Sequence, residues 1–193
     1  MIGPMQLLLA FSLDALIGDP PWLPHPVRAI GKGISRAERF LRTHAVSPSG
    51  EKVAGILLVL MITVPVFLTT ALILVFLRLL AGNAGKIAGM IVIVYLTATT
   101  LAIRELIVSS QAVIRPVREG DIEKARRNLS MIVGRDTQTL SGKEILKATM
   151  ETLAENLSDG FIAPLFYLVI GGLPLAVTYK AINTLDSTVG YKN

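Results

Sequence analysis

The sequence predicts an all-α, polytopic integral membrane protein. We expect about three to four membrane helices, one of them broken or re-entrant, with amphipathic helices on the cytoplasmic side. Hydrophobic residues make up 52% of the chain. Charged residues make up only 17%, against roughly a quarter in an average soluble domain. Residues 53–77 form a run of 25 without a charge. This composition excludes intrinsic disorder, and the absence of cysteine excludes a disulfide scaffold and thiolate chemistry.

We interpret residues 1–193 as a single membrane-embedded domain with six segments in chain order. They are a membrane segment (1–17), a cytoplasmic loop with an interfacial helix (18–52), a transmembrane hairpin (53–103), a cytoplasmic helical region (104–160), a broken membrane segment (161–182) and the start of a polar motif helix (183–193), where we expect the chain to be truncated.

The first segment is apolar but short. Residues 2–17 would be about 24 Å long as a helix, and they contain Asp14. They lack the basic region of a secretory signal peptide, so cleavage is not expected. Because a carboxylate in lipid is energetically costly, Asp14 is a candidate functional residue.

A proline-rich loop follows at residues 18–28 and presents Asp19, His25 and Arg28. The prolines restrict the loop's conformations, which suits a functional site as well as a simple rigid turn between helices. The next residues predict a basic amphipathic helix at the cytoplasmic interface, with an apolar face of Val27, Ile30, Ile34, Ala37 and Leu41.

The hairpin combines two uncharged runs, 53–77 and 87–103, around a turn predicted at 81–85. Six of the 19 basic residues lie in 18–52 and nine lie in 104–160, whereas the turn between the two runs has only Arg78 and Lys86. The positive-inside rule therefore places both flanking segments in the cytoplasm of the cell. Nucleic acid is not an expected partner, because no aromatic residues alternate with the basic ones.

Within 104–160, Asp121 is predicted to cap one helix, and Ser141 with Glu144 to form the capping box of another. Glu144, Glu151 and Glu155 then share one face of the second helix. The turn at 134–137 has the groups to bind a phosphate, although a plain surface loop explains it equally well.

The acidic residues of 151–160 directly precede an apolar run that Pro164 and residues 171–174 interrupt. Such a break predicts a re-entrant or kinked helix. Oxygen ligands at this boundary could hold Mg²⁺. The final residues, 179–193, mix polar and apolar positions in a way that suits a helix lining a polar cavity.

Four strings carry a specific resemblance: GDPPWLPHPVRAIGK, VGRDT, ETLAENLSDGFIAPLFY and YKAINTLDSTVGYKN. In this order and with these apolar segments between them, they resemble the adenosylcobinamide-phosphate synthase family of cobalamin biosynthesis (CobD/CbiB). The similarity spans almost the whole chain, which is identified as an N-terminal fragment lacking roughly the last third of such proteins. Thr188 stands where the family usually has Met.

The resemblance implies a membrane ligase that joins adenosylcobyric acid to (R)-1-amino-2-propanol O-phosphate, or to a related amine phosphate. It implies ATP as co-substrate, Mg²⁺ as cofactor, and the lipid bilayer and other membrane proteins of cobalamin assembly as partners. Two other classes are weighed beside it: a non-enzymatic membrane signalling protein of the AmpE type, and a transporter, which the broken segment suggests.

The resemblance also implies roles for individual residues. Catalytic work, as general base or through Mg²⁺, is assigned to Glu151, Glu155, Asp159 and Asp186, and the tentative metal ligands are Glu155, Asp159 and Asp19. Phosphate binding is assigned to Arg28, Arg135 and Lys180, with Asp136 beside them. Substrate orientation is assigned to His25, Asn156, Ser158, Asn183 and Ser187.

Overall fold

The computed structural model describes residues 2–20, 22–43 and 48–190, and every regular element in that part of the chain is helical. The all-α prediction is therefore confirmed. Two features singled out above, Pro21 of the proline-rich loop and residues 191–193 of the last string, lie outside the described residues.

The elements in chain order are α1 (Pro4–Ile17), α2 (Pro26–Arg42), α3 (Pro48–Leu79), α4 (Gly82–Ala98), α5 (Ile103–Glu119), α6 (Ile122–Ser130), α7 (Gly142–Leu157), a π-helical turn (Ser158–Ile162) and α8 (Ala163–Val189). Three helical stretches are long and apolar enough to cross a membrane: Gly50–Leu79, Gly82–Glu119 and Gly142–Val189. Helix α1 is a shorter apolar helix. The chain is thus a polytopic helical membrane protein.

The turn of the hairpin is shorter than the sequence predicts. Helix α3 ends at Leu79 and α4 begins at Gly82, so the expected turn at 81–85 is wrong in extent. Gly82 has a positive φ of 75°, and Gly85 already lies in the first turn of α4. A Cβ atom on Gly85 would lie 3.0 Å from Leu80. Gly82 therefore supplies the positive φ of a tight turn, and Gly85 permits the close approach of Leu80 in the short connection between the helices.

Helix α2 packs through the predicted apolar face. Ile34 is fully buried against Leu58 and Ile62 of α3 and against Ala181 and Leu185 of α8. The basic side chains of α2 are exposed. The apolar face that predicted an interfacial helix therefore packs against other helices of the same chain.

Helices α5, α6 and α7 form a separate cluster with its own apolar centre. Val113 of α5, Ala125 and Leu129 of α6, and Ile145 of α7 are completely buried there. Burying one side chain of the size of valine or leucine contributes about 1.5–3 kcal/mol. Both predicted caps are present: the Asp121 side chain accepts the Lys124 N–H at 2.9 Å, and Ser141 forms a capping box with Glu144.

Helix α8 reverses its direction at Gly172, which has φ 68° and ψ −166°. The ring centroids of Tyr167 and Tyr179 are only 4.9 Å apart, although twelve residues of straight helix would span about 18 Å. The break predicted from the glycine-rich sequence is confirmed, and it returns residues 173–189 toward the start of the helix.

Candidate functional site

A cavity of about 290 Å³ lies where α5, α7, the π-helical turn and α8 meet. Three of the residues assigned from sequence line it: Asn156 of α7 and Lys180 and Asn183 of α8. The return of α8 at Gly172 is what brings its two residues to the end of α7. This cavity is the candidate functional site.

Lys180 supplies the positive charge of the cavity. Within the described part of the chain, its side chain forms no hydrogen bond and no ion pair within 4 Å. Asp19, Asp14 and Asp159 all attract it electrostatically from farther away. An ammonium group held in this way, facing a cavity and not directly paired, is available to an anionic ligand.

Asp159 joins the π-helical turn to the returning half of α8. Its two carboxylate oxygens accept hydrogen bonds from the Tyr179 hydroxyl and from the Asn183 amide, both at 3.3 Å. Tyr179 is in turn stacked on Tyr167. π-helical turns within longer helices occur frequently at functional sites, and this one places Asp159 beside the cavity without making it a lining residue.

Asp14 proves to be a buried helix cap. Its side chain is 3% exposed, and its Oδ2 accepts the Ile103 N–H at 2.8 Å. The bond satisfies one of the backbone donors that the start of α5 leaves free. Arg104 makes the reciprocal contact, because its guanidinium donates to the carbonyl oxygens of Ala15 and Leu16 at the end of α1.

This geometry predicts that Asp14→Ala lowers the free energy of unfolding by about 1–3 kcal/mol, since it leaves a buried N–H without a partner. Asp14→Asn keeps an acceptor oxygen and is expected to retain most of the stability. Thermal unfolding of the two purified variants checks this. Equal stability of Asp14→Ala and the unmodified protein would contradict the capping role.

The proline-rich loop is held together by the residues assigned to substrate binding. His25 Nε2 lies 2.8 Å from Asp19 Oδ1. Its Nδ1 accepts the Val27 N–H at the start of α2. Arg28 donates to the carbonyl oxygens of Pro20 and Leu23 at 2.8 and 2.9 Å. Through these contacts Asp19, His25 and Arg28 stabilise the loop. The functions assigned to them from the sequence stay predictions.

Only some of the glutamates on the acidic face of α7 have hydrogen-bond or ion-pair partners among the described residues. The Glu151 carboxylate pairs with Arg135 at 2.7 Å, and these two side chains are each about half exposed. The same carboxylate lies 3.9 Å from the more exposed Lys147. Such surface pairs contribute about 0–1 kcal/mol. Glu144 belongs to the capping box. The Glu155 side chain is exposed and makes no hydrogen bond or ion pair within the ranges that the structure describes.

The remaining assigned residues do not line the cavity. Asp136 accepts the Gln138 N–H in a local turn. Ser158 is exposed at the start of the π-helical turn. Asp186 and Ser187 are exposed near the end of α8, where the Ser187 hydroxyl donates to the Thr184 carbonyl.

A metal centre does not form from the tentative ligands. Over residues 2–20, 22–43 and 48–190, no group of three or more His, Asp or Glu side chains is arranged to hold a metal ion. Glu155, Asp159 and Asp19 are therefore not gathered into one ligand set, and only single carboxylates such as Asp159 remain beside the cavity.

Several polar residues of the cavity were not singled out from sequence: Glu105, Ser109, Ser110, Thr149 and Thr152. The spacing of these residues along the sequence could have indicated them. Glu105 and Ser109 are four residues apart, and Thr149, Thr152 and Asn156 follow at steps of three and four. Each set therefore forms a polar stripe on one helix face. Because α5 and α7 also have polar surface faces, only the packing shows that these stripes turn toward each other.

The chain matches a known protein family over nearly its whole length. The family described as CobD/Cbib protein matches residues 7–193. A Cobalamin biosynthesis protein CobD from Geobacter metallireducens is 49% identical over 187 residues, which are 97% of this chain and 57% of the relative. One from Clostridium tetani is 45% identical over 192 residues, covering 100% of this chain and 59% of the relative.

A third relative has the other family name. Cobalamin biosynthesis protein CbiB from Salmonella typhi is 43% identical over 186 residues, or 96% of this chain and 57% of that protein. The chain thus spans somewhat less than two thirds of the length of the curated relatives it matches. No solved structure shows a significant match.

Proposed function

This chain belongs to the CobD/CbiB family, and we therefore propose that it acts in cobalamin biosynthesis as part of an adenosylcobinamide-phosphate synthase. In this proposal, the reaction is an ATP-dependent ligation. It joins a carboxylate of adenosylcobyric acid to the amine of (R)-1-amino-2-propanol O-phosphate.

The chemistry requires an activated acyl group, because amide formation from a carboxylate and an ammonium ion is unfavourable in water. A carboxylate oxygen attacks the γ-phosphorus of ATP and releases ADP. The amine, having lost a proton to a base, then attacks the acyl carbon of the resulting acyl phosphate. The C–N bond forms as the C–O bond to phosphate breaks. The products are the amide, ADP, inorganic phosphate and a proton.

The observation that carries the proposal is the cavity that Lys180 and Asn183 line next to Asp159. Lys180 is suited to bind phosphate oxygens, whose negative charge it would compensate. Asn183 is suited to orient a polar group. Asp159, which accepts hydrogen bonds from Tyr179 and Asn183 beside the cavity, is the proposed base for the incoming amine.

Mg²⁺ is the cofactor that the family resemblance implies, but the described residues do not assemble a ligand set of three or more side chains for it. The protein residues named above therefore carry the proposed steps, and none of these steps passes through a protein-bound metal. ATP is a co-substrate, and the corrinoid is a substrate.

The proposal includes a location. The membrane is the inner membrane that the family resemblance implies. The bias of basic residues toward 18–52 and 104–160 supports a cytoplasmic position for both segments, on the side where ATP is present. Other membrane proteins of cobalamin assembly are the proposed partners.

The test uses membranes that contain either this chain or a chimera in which the part of the Geobacter metallireducens relative beyond the match follows Asn193. Each is supplied with adenosylcobyric acid, ATP, Mg²⁺ and aminopropanol phosphate, and the amide is sought by mass spectrometry. We expect one ADP for each amide. If neither form makes an amide with any amine phosphate, the proposed reaction is wrong.

Glu155→Gln tests an exposed residue that has no hydrogen-bond or ion-pair partner among the residues the structure describes. If Glu155 works as base or metal ligand, the substitution is expected to lower turnover at least about 100-fold. Its thermal stability should be unchanged, because no contact is lost. Glu51→Gln, at an exposed position of α3 that has no ion pair within 4 Å among the described residues, is the matched control. Turnover close to that of the unmodified protein would remove Glu155 from the catalytic residues.

A further inference from the structure

The cavity has one group of each charge, and the two are not paired with each other. Within the part of the chain that the structure describes, Lys180 is its lining cation and Glu105 its lining carboxylate. Neither side chain forms an ion pair within 4 Å or a side-chain hydrogen bond there. Opposite charges that share a cavity and remain apart are suited to a ligand with both charges.

Neutral polar groups occupy the walls near these charges. Ser109 and Ser110 extend from α5, Thr152 and Asn156 from α7, and Asn183 from α8. A ligand in this cavity can therefore form hydrogen bonds to neutral polar groups as well as ion pairs with Glu105 and Lys180. Apolar residues such as Leu106 and Leu153 line the remainder and suit a short hydrocarbon segment.

The volume limits the size of the ligand. Pockets that enclose drug-sized molecules measure about 300–1,000 Å³, and this cavity measures about 290 Å³. A corrinoid is much too large for it. A small molecule with a few carbon atoms, an ammonium group and a phosphate fits, so the corrinoid must approach from outside the cavity.

The position of Glu105 is fixed by the contact between α1 and α5. Asp14 caps the backbone at Ile103, and Arg104 binds the end of α1. Glu105 is the next residue along α5. The backbone at the start of α5 is thereby held in place, so that Glu105 stays at the edge of the cavity, although its exposed side chain is itself not held by a described contact.

We infer that this cavity is the subsite for the amine substrate, with Glu105 binding the ammonium group and Lys180 binding the phosphate of a short aminoalkyl phosphate. The identity of this zwitterion rests on the proposed function, whereas its charge pattern and size come from the cavity. Glu105 is thus a binding residue that selects substrates with an amine.

The test measures binding by isothermal titration calorimetry to the purified chain in detergent micelles. Three probes separate the two charges: aminopropanol phosphate, isopropyl phosphate, which lacks the ammonium group, and 1-amino-2-propanol, which lacks the phosphate. We expect aminopropanol phosphate to bind most tightly. Failure of the unmodified chain to prefer it over isopropyl phosphate would overturn the inference.

Glu105→Gln is expected to weaken the binding of aminopropanol phosphate about 10- to 100-fold, as for the loss of a hydrogen bond to a charged group. Isopropyl phosphate should bind equally or more tightly, because a negative charge is removed. Lys180→Gln should weaken both phosphates. Glu105→Asp should restore part of the selectivity, since it restores the carboxylate.

Glu119→Gln is the matched control, because Glu119 is the last residue of α5 and pairs with Arg115 on the surface. It should change neither affinity. A Glu105→Gln variant that loses affinity for both phosphates equally would show a structural role and overturn the inference. Selective binding of the zwitterion, with no amide made by either this chain or the chimera, would refute the proposed reaction alone. Amide synthesis with unchanged binding in Glu105→Gln would refute the inference alone.

Discussion

Replacing Lys180 with glutamine is expected to lower the rate of amide formation about 10- to 100-fold at subsaturating aminopropanol phosphate, as for the loss of a hydrogen bond to a charged group. The reason is the position of its ammonium group, which faces the cavity without a direct ion-pair partner among the described residues. Initial rates in membranes, normalised to the amount of protein, measure the effect in whichever form of the enzyme is active.

Loss of the Lys180 charge also leaves Asp14, Asp19 and Asp159 without the cation that attracts them, so stability must be measured separately. Lys180→Arg keeps the charge and should fold normally, but its planar guanidinium is not equivalent to an ammonium group and should recover only part of the rate. Lys124→Gln, at an exposed position of α6, is the control. Full activity in a stable Lys180→Gln variant would exclude Lys180 from the site.

Gly172→Ala is expected to lower the free energy of unfolding by about 1–3 kcal/mol. At φ 68° and ψ −166°, the backbone of Gly172 occupies a region that only glycine adopts readily. The midpoint of thermal unfolding in detergent measures the loss. Since the reversal brings Tyr179 and Asn183 to Asp159, the variant should also lose affinity for aminopropanol phosphate.

Gly55→Ala provides the matched control in α3. A Cβ atom there meets nothing within 4 Å, and alanine stabilises a helix by about 0.5–1 kcal/mol relative to glycine. Gly55→Ala should therefore be as stable as the unmodified protein or slightly more stable. If Gly172→Ala behaved in the same way, the sharp reversal of α8 would be wrong.

Both predictions depend on the reversal of α8 at Gly172. The reversal at Gly172 needs a residue without a side chain, and its neighbour is also restricted, because a Cβ atom on Gly171 would overlap the Leu175 side chain. The two glycines place Lys180 and Asn183 at the end of α7. Gly172→Ala should thus weaken binding by destabilising the fold of α8. Lys180→Gln should weaken binding by removing a charged group that contacts the ligand.

Much of the fold could be predicted because its signals are local. The uncharged run in α3 exceeds the length of a bilayer crossing, the apolar spacing of α2 gives its buried face, and the Ser141–Glu144 box marks the start of α7. The turn between α3 and α4 was predicted too long, since glycines that favour turns also permit the close approach found at Gly85. A glycine-rich stretch therefore does not by itself distinguish a longer turn from a short connection that leads directly into a helix.

The site was predictable only in part. Sequence motifs singled out Lys180, Asn183, Asn156 and Asp159, which the structure gathers in and beside one cavity. They did not single out Glu105, whose position depends on a contact between residues 14 and 103. Nor did they show that Arg135 and Glu151, assigned to different roles, pair with each other on the surface.

The sequence by itself determined that this is a helical membrane protein of one family, because hydropathy, helix periodicity and the order of motifs are properties of contiguous residues. Only the tertiary structure decided which charges share a cavity. That outcome depends on the reversal at Gly172 and on the cap that Asp14 supplies to α5. Both bring together residues that are far apart in the chain, and the free energy of such contacts comes from packing and hydrogen bonds that no single segment contains.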